Sequence, residues 1–466
     1  MAGTKLQKFK RSLSAIDMTE GRPWKKLLLF TVPLLIGNVF QQMYSTADAL
    51  ILGQVIGDNA LAAVGASIPI FFFIMVLMMG IAMGAGVVVS QYFGARRREE
   101  LSYTIGAAIT LTTMLGGIMM ALGPFATRPL LVLLETPDAI LDDAVLYMNV
   151  LLVGVLGMAY FNILSGILRG LGDSFSPLVY LAVASVLNVL LNLLFIPVLG
   201  FGVWGAAIGT VFAQGLTSVL CLRRLMQMRD VFDFGAKYLL PNREYMRQVL
   251  RLGVPTGASQ AIFAISLMII QPLANGFGEL FLAANVIVMR VDAFVMMPIF
   301  SFGNAMTVFA GQNMGAGKTE RITKGMKECA VMIVGSSAAL VGLLMIFGHY
   351  IAGWFSETHE VIEMSMRMLR ILAVGYIIFS FNMVTWGVIR GAGDAMTPLW
   401  MSAINTVLIR LPSAYIFVWL LGEPEALFYS LLLGWTSITA LGFVAYKLGR
   451  WRRSGLVRNE PEERRE

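Results

Sequence analysis

The chain has few of the residues on which soluble proteins and metalloproteins depend. Charged residues occupy 14% of its 466 positions, whereas an average soluble domain has about 25%. Its two cysteines, Cys221 and Cys329, cannot form a disulfide framework or a CxxC metal motif. Its two histidines, His349 and His359, are too few for a metal cluster. The apolar segments also lack paired acids or a nucleophile–base dyad, so we expect no cofactor and no enzyme.

Hydrophobic residues are abundant instead. They make up 57% of the chain, and its mean hydropathy is +0.75. A membrane-spanning helix needs roughly 20 apolar residues, and runs such as 70–89 do not alternate as a β-barrel strand would. We therefore predict an all-α integral membrane protein with twelve transmembrane helices, near residues 25–50, 60–90, 102–126, 140–167, 177–198, 203–226, 247–274, 282–311, 325–354, 362–390, 397–421 and 426–449.

The net charge of +7 is distributed among the loops rather than gathered on one basic face, which disfavours a nucleic-acid partner. Alternate loops are basic, as at 96–98, 223–251 and 447–453, and the others are acidic apart from Arg128. Since cytoplasmic loops are rich in Lys and Arg, both termini are predicted to be cytoplasmic. The basic start of the chain runs into an apolar segment too long for a cleavable signal peptide.

The sequence repeats with an offset of 221 residues. The stretch GILRGLGDSFSP at 166–177 returns as GVIRGAGDAMTP at 387–398, and Pro33 corresponds to Pro255 with one residue of drift. Six spans in each copy insert in the same orientation, so we predict two lobes related by a pseudo-two-fold axis along the membrane normal. The predicted parts are an N-terminal segment (1–24), the N-lobe (25–227), a linker (228–246), the C-lobe (247–449) and a charged cytoplasmic tail (450–466). Such duplicated bundles are typical of secondary transporters.

Asp48 is the strongest candidate for a coupling residue. It is the only charged side chain between Lys26 and Asp58, and an ionised group in hydrocarbon costs at least about 2.5–3.5 kcal/mol. Asn38, Gln41 and Ser45 precede it on the same face of the first helix. This polar stripe indicates a cavity and a site that exchanges a proton or a cation. The alternative is that Asp48 lies near the outer interface and only reaches water.

Other polar residues in the predicted spans have less specific patterns. Asn188 and Asn192 share a face of the fifth helix and suit either a cation site or contacts between helices. The second copy has apolar residues where the first has its stripe, near Phe263, Leu267 and Ile270. For Arg290 and Asp292 a structural salt bridge is the favoured interpretation. The candidate cavity-lining residues are Asn38, Gln41, Tyr44, Ser45, Asn162, Arg290 and Asp292.

The two Arg-Gly-x-Gly-Asp elements, Arg169–Asp173 and Arg390–Asp394, are predicted to form matched cytoplasmic turns. Glycine permits the reversal, and Asp caps the next helix, whose first turn suits proline. The elements do not follow a strand, so they do not indicate a nucleotide site.

Taken together, the sequence resembles the multidrug and toxic compound extrusion (MATE) transporters. The resemblance runs from about Trp24 to Arg450 and depends on Ala-Asp-Ala at 47–49, Gln-Tyr-Phe-Gly-Ala at 91–95, both Arg-Gly-x-Gly-Asp elements and Arg-Leu-Pro-Ser-Ala-Tyr at 410–415. It implies two six-helix lobes that open alternately to each side of the cytoplasmic membrane of a bacterium or archaeon. It also implies export of cationic or amphipathic compounds in exchange for H⁺ or Na⁺.

Within that family the chain resembles the DinF-like branch. This resemblance implies an H⁺ or Na⁺ site at Asp48, Asn188, Asn192 and Thr210. Asn192 stands where the branch has an aspartate, so one carboxylate remains and the coupling ion stays open between H⁺ and Na⁺.

A lipid or lipid-linked saccharide flippase of the same wider superfamily is the alternative function. Flippases of this kind need a more strongly charged cavity than the predicted stripe provides. A channel is less favoured, because a duplicated two-lobe plan suits alternating access. The expected partners are a small-molecule substrate and membrane lipids, and we expect a monomer.

Overall fold

The computed structural model describes residues 15–457, without the side chains at 44, 45, 47–50, 52–54, 58, 59 and 61. No strand occurs in this part of the chain, which confirms the all-α prediction. The helices are α1 (Pro23–Val55), α2 (Asp58–Gly94), α3 (Arg98–Leu133), α4 (Asp138–Val153), α5 (Val155–Gly170), α6 (Phe175–Leu193), α7 (Val203–Met226), α8 (Ala236–Leu239), α9 (Arg243–Asn275), α10 (Glu279–Gly315), α11 (Thr319–Gly353), α12 (His359–Gly391), α13 (Met396–Ile404), α14 (Leu411–Leu421) and α15 (Ala426–Leu448).

Eleven spans of the described residues are long and apolar enough to cross a membrane. The pair α4 and α5 makes a twelfth if it is one span, because the two helices are bent by 51° at Gly154. A Cβ atom at Gly154 would collide with the Val211 side chain of α7, so the bend lies where α7 approaches the backbone. The predicted fourth span is therefore a broken helix, whereas α12 in the second repeat is continuous.

Two π-helical segments interrupt further spans. Leu194–Val198 extends α6, and Asn405–Arg410 joins α13 to α14. Proline lacks the N–H that an α-helix would use, and it lies inside the first segment as Pro197 and just after the second as Pro412. A π-helix has hydrogen bonds between residues i and i+5, so its wider turn fits a place where the α-helical hydrogen bond to proline is missing.

Clustering of contacts divides the described residues into two compact units. Unit 1 comprises 15–17 and 32–257, and unit 2 comprises 18–31 and 258–457. In unit 1 the most extensive packing is that of α2 on α5, followed by α7 on α5 and on α6. In unit 2 the most extensive packing is that of α12 on α10, with α11 and α15 also against α12.

The two Arg-Gly-x-Gly-Asp elements form the same turn, as predicted. Gly172 and Gly393 have positive φ angles of 91° and 98°, which glycine adopts without strain. The Asp173 carboxylate accepts hydrogen bonds from Ser176 N at 2.9 Å and Ser176 Oγ at 2.7 Å. The Asp394 carboxylate accepts the equivalent bonds from Thr397 N at 3.0 Å and from Thr397 Oγ1. Each aspartate therefore caps the next helix, α6 or α13.

The stretch between α7 and α9 packs on α3 within unit 1. Arg98 Nη2 donates to Asp233 Oδ1 at 2.8 Å, and Asp233 N donates to Ser102 Oγ at 2.7 Å. One turn further along α3, the Tyr238 carbonyl lies so close to Gly106 that a Cβ atom would not fit. The predicted linker is thus attached along its length to the first helix bundle.

Candidate functional site

Unit 1 contains a cavity of about 520 Å³, which is within the usual size range of small-molecule sites. Its walls come from α1, α2, α4, α5, α6 and α7, with Ser174 of the turn before α6. The apolar lining residues are Pro33, Leu34, Gly37, Phe71, Met75, Met79, Leu151, Met158, Phe161, Pro177, Leu178 and Leu181. The polar ones are Asn38, Gln41, Tyr147, Asn162, Ser165, Arg169, Ser174, Thr210 and Gln214. Such a surface suits an amphipathic molecule with several polar groups.

Four of the residues predicted from the sequence line this cavity, namely Asn38, Gln41, Asn162 and Thr210. Asn38 and Gln41 are one turn apart on α1, which places the beginning of the polar stripe on the cavity wall. Asn162 donates from Nδ2 to the Met158 carbonyl of its own helix at 2.9 Å, so its Oδ1 atom is available to a ligand.

Asn188, Asn192 and Thr210 form a hydrogen-bonded chain between α6 and α7. Asn188 Nδ2 donates to Thr210 Oγ1 at 3.2 Å, and Asn192 Nδ2 donates to Asn188 Oδ1 at 3.1 Å. Both asparagines are fully buried, and a Cβ atom at Gly209 would collide with Asn192 Oδ1. The i, i+4 spacing seen in the sequence therefore brings together a compact group of neutral oxygens beside the cavity.

The side chains of Tyr44, Ser45 and Asp48 lie outside the described residues. The helix that carries them is described, and Ile51 of α1 packs against Ile196 and Ala206. The end of α1 and the beginning of α7 therefore pack beside each other at this apolar cluster.

The remaining predicted candidates, Arg290 and Asp292, belong to unit 2 and do not line the cavity of unit 1. The expected salt bridge is not found among the described residues. Arg290 is exposed, whereas Asp292 Oδ1 is buried beside Tyr376. Neither Asp292 Oδ1 nor Tyr376 OH makes a hydrogen bond of good geometry within this part of the chain. Since residues 290 and 292 are two apart on a helix, they point to different faces.

Five polar residues of the cavity wall were not singled out as ligands by the sequence, namely Tyr147, Ser165, Arg169, Ser174 and Gln214. Gln214 lies one turn beyond Thr210 on α7, and Arg169 ends α5 within the first repeated turn. The spacing from Thr210 provides a signal for Gln214. No comparable signal distinguishes Arg169, because its counterpart Arg390 occupies the same motif.

The fold and the cavity can be compared with known proteins. The family model of MatE matches this chain twice, at residues 33–194 and 255–416. The chain is a member of the MatE family. The two matched regions begin at the prolines of the internal repeat, Pro33 and Pro255. The family resemblance drawn from the sequence is thereby confirmed, and the DinF-like branch stays a prediction.

Relatives of this MatE protein include two that bear drug-resistance names. "Probable multidrug resistance protein YpnP" of Bacillus subtilis is 28% identical over 440 residues, covering 94% of this chain and 98% of the relative. "Probable multidrug resistance protein NorM" of Thermotoga maritima is 24% identical over 414 residues, covering 88% of each.

Solved structures agree with this MatE fold. One described as the outward-facing conformation of a multidrug resistance MATE family transporter has a TM-score of 0.88 and 26% identity, covering 95% of this chain and 98% of that one. A transporter from Pyrococcus furiosus, whose binding pocket is described as having reverse polarity, has a TM-score of 0.86 and 26% identity, covering 94% and 98%.

Proposed function

We propose that this protein is a secondary active multidrug exporter. It carries cationic or amphipathic organic compounds out of the cell by alternating access, in exchange for H⁺ or Na⁺. The observation that carries the proposal is the chain of Asn188, Asn192 and Thr210 beside an amphipathic cavity. The multidrug resistance names of the two relatives support transport of drug-like compounds.

The packing of α1 supports including Asp48 in the coupling site. Ile51, Ile196 and Ala206 pack together at one level. Asp48 precedes Ile51 by three residues, Asn192 precedes Ile196 by four, and Thr210 follows Ala206 by four. Because three to four residues make one helical turn, position 48 of α1, position 192 of α6 and position 210 of α7 each lie about one turn from the same cluster.

The composition of this site accounts for both candidate ions. Neutral amide and hydroxyl oxygens such as those of Asn188, Asn192 and Thr210 suit Na⁺, which takes oxygen ligands, and a single carboxylate such as that of Asp48 suits H⁺. In either case the carboxylate provides the negative charge that the ion balances, by protonation for H⁺ or by ion pairing for Na⁺. Asn192 keeps a second negative charge out of the site, so we expect the site to hold one monovalent cation at a time.

Membrane placement follows from the charges of the loops. We place the chain in the cytoplasmic membrane with both termini inside and expect it to act as a monomer. Transport needs no cofactor on this proposal.

The test measures export of a cationic dye from proteoliposomes under an imposed pH gradient or an imposed Na⁺ gradient. We expect one of the gradients to drive export, and Asp48→Asn to reduce it to the rate of protein-free liposomes. Thr46→Val is the matched control, since Thr46 is exposed on the same helix and its hydroxyl donates only to the Gln42 carbonyl, at 2.9 Å.

The outcomes separate the parts of the proposal. Export that survives Asp48→Asn removes Asp48 from the coupling site but leaves transport intact. Absence of export under either gradient refutes the antiporter and favours the flippase, for which movement of a labelled lipid is then the assay.

A further inference from the structure

The cavity of unit 1 has one charged side chain among its described lining residues, and that charge is positive. Arg169, in the last turn of α5, provides it. No aspartate or glutamate is among the described residues of the wall. The described part of the cavity therefore attracts negative rather than positive groups.

Arg169 makes no hydrogen bond or salt bridge within the described residues, although a carboxylate lies nearby in sequence. Asp173, four residues on, is committed elsewhere: its Oδ2 atom accepts from Arg224 Nε at 2.8 Å and its two oxygens accept from Ser176. Asp173 is 2% exposed. The guanidinium of Arg169 thus keeps its donors for a ligand.

Two serines accompany Arg169 on the cavity wall. Ser165 lies one turn earlier on α5, and Ser174 lies in the turn that follows, and both are buried. A guanidinium has planar donors suited to a carboxylate or a phosphate, and hydroxyl groups add further donors. The group has the composition of an oxyanion site.

The internal repeat explains why this arginine is accessible. Its counterpart Arg390 lies over the ring of Trp386, with the guanidinium carbon 5.8 Å from the ring centroid. With the offset of 221, the position of Trp386 corresponds to Ser165. The first repeat therefore has a small hydroxyl side chain where the second has an indole, and this leaves room beside Arg169.

The opposite end of the cavity is about 16 Å away. Ser165 Oγ is 3.9 Å from Cys221 Sγ on α7, and Thr210 lies eleven residues earlier on that helix, at about 1.5 Å per residue. Apolar side chains such as Phe71, Met75 and Leu178 line the wall. An elongated molecule with an apolar body and one anionic end fits this arrangement.

We propose that this cavity binds amphipathic compounds through a carboxylate or phosphate group held by Arg169, Ser165 and Ser174. As a statement about transported substrates the inference rests on the proposed function. As a statement about binding it stands alone, because binding needs no ion gradient.

The test measures binding of a dansyl-labelled fatty acid to the purified protein in neutral detergent. The matched probe is its uncharged amide, which has the same apolar body. We expect the carboxylate to bind about tenfold or more tightly than the amide, since hydrogen bonds to a charged group are stronger. In Arg169→Gln the two probes should bind alike.

Two further variants test whether the carboxylate preference depends on Arg169 itself and on the space beside it. Arg390→Gln removes the equivalent arginine of the second repeat and should keep the preference for the carboxylate. Ser165→Trp copies the second repeat and should abolish the preference although Arg169 is retained. Equal binding of both probes to the wild type, a preference that survives Arg169→Gln, or a preference lost equally in Arg390→Gln would overturn the inference.

The source of the anion is tested with the protein in nanodiscs. Displacement of the probe by phosphatidylglycerol, but not by phosphatidylcholine, identifies a lipid phosphate as a ligand, whereas no displacement restricts the ligand to non-lipid amphiphiles. Export of a cationic dye without any carboxylate preference refutes this inference alone. A carboxylate preference without gradient-driven export refutes the proposed function alone.

Discussion

The ion pair of Arg224 with Asp173 predicts that the two repeated turns differ in their contribution to stability. Both aspartates cap a helix, but in the described structure only Asp173 also forms a salt bridge. Losing one partner of a buried ion pair costs about 3–5 kcal/mol, and the lower value applies because Arg224 is 20% exposed. Losing the cap costs about 1 kcal/mol. We therefore expect a loss of about 4 kcal/mol for Asp173→Ala and about 1 kcal/mol for Asp394→Ala.

The two cysteines make the comparison measurable in each unit. Cys221 in unit 1 and Cys329 in unit 2 are both fully buried, so a thiol-reactive dye labels each one only after opening. In single-cysteine backgrounds, Asp173→Ala should raise the labelling rate of Cys221 roughly a hundredfold more than Asp394→Ala raises that of Cys329. Asp173→Asn keeps an acceptor for the cap but removes the ion pair. It should therefore still cause most of the increase in the labelling rate of Cys221. Equal increases in the two units would refute the assignment to the ion pair.

Two further predictions concern the attachment of the 227–242 stretch to α3. Gly106→Ala should displace the Tyr238 carbonyl and raise tryptic cleavage of this stretch about tenfold. Gly117→Ala, on the same helix with open space around it, should not change the cleavage, and equal effects would contradict the proposed contact. Separately, the Arg98 guanidinium holds the pKa of the Asp233 carboxyl below its usual range. The stabilisation that this contact gives to the attachment of the stretch is therefore present above the ordinary carboxyl pKa of about 4 and is lost as the pH falls through the lowered value. The hydrogen-exchange protection of the backbone amides at 227–242, corrected for the intrinsic exchange rate at each pH, should therefore decrease in the wild type as the pH is lowered. A decrease of the same size in Asp233→Asn would refute that explanation.

The sequence predicts the apolar helices and the repeated turns well, because both depend on local patterns. An apolar run of sufficient length is a helix whatever its neighbours are, and a glycine before a capping aspartate dictates its own turn at Gly172 and Gly393. The breaks within helices are less predictable. The bend at Gly154 depends on Val211, which is 57 residues away in the chain, so no local pattern reveals it.

The candidate site is only partly predictable for the same reason. The i, i+4 spacing of Asn188 and Asn192 places them on one face, and the structure adds Thr210 as the partner on the next helix. Arg290 and Asp292 are close in sequence but lie on different faces of α10, and in the described residues neither forms a salt bridge, because the partner of a charged side chain depends on which helices pack together. Arg169 looks identical to Arg390 in the repeated motif, and the neighbours that distinguish the two, Ser165 against Trp386 and Ser174 against Ala395, gain their meaning only from the structure.

That difference between Ser165 and Trp386 shows how a duplicated protein can acquire a recognition site with little change. Each half has a half-buried arginine at the end of the corresponding helix. A new binding site usually requires both a charge and a space to reach it, and the charge was already present in two copies. A small side chain supplies the space in one half, while the indole covers the arginine in the other. Ligand specificity can then change in one copy without disturbing the packing of the other.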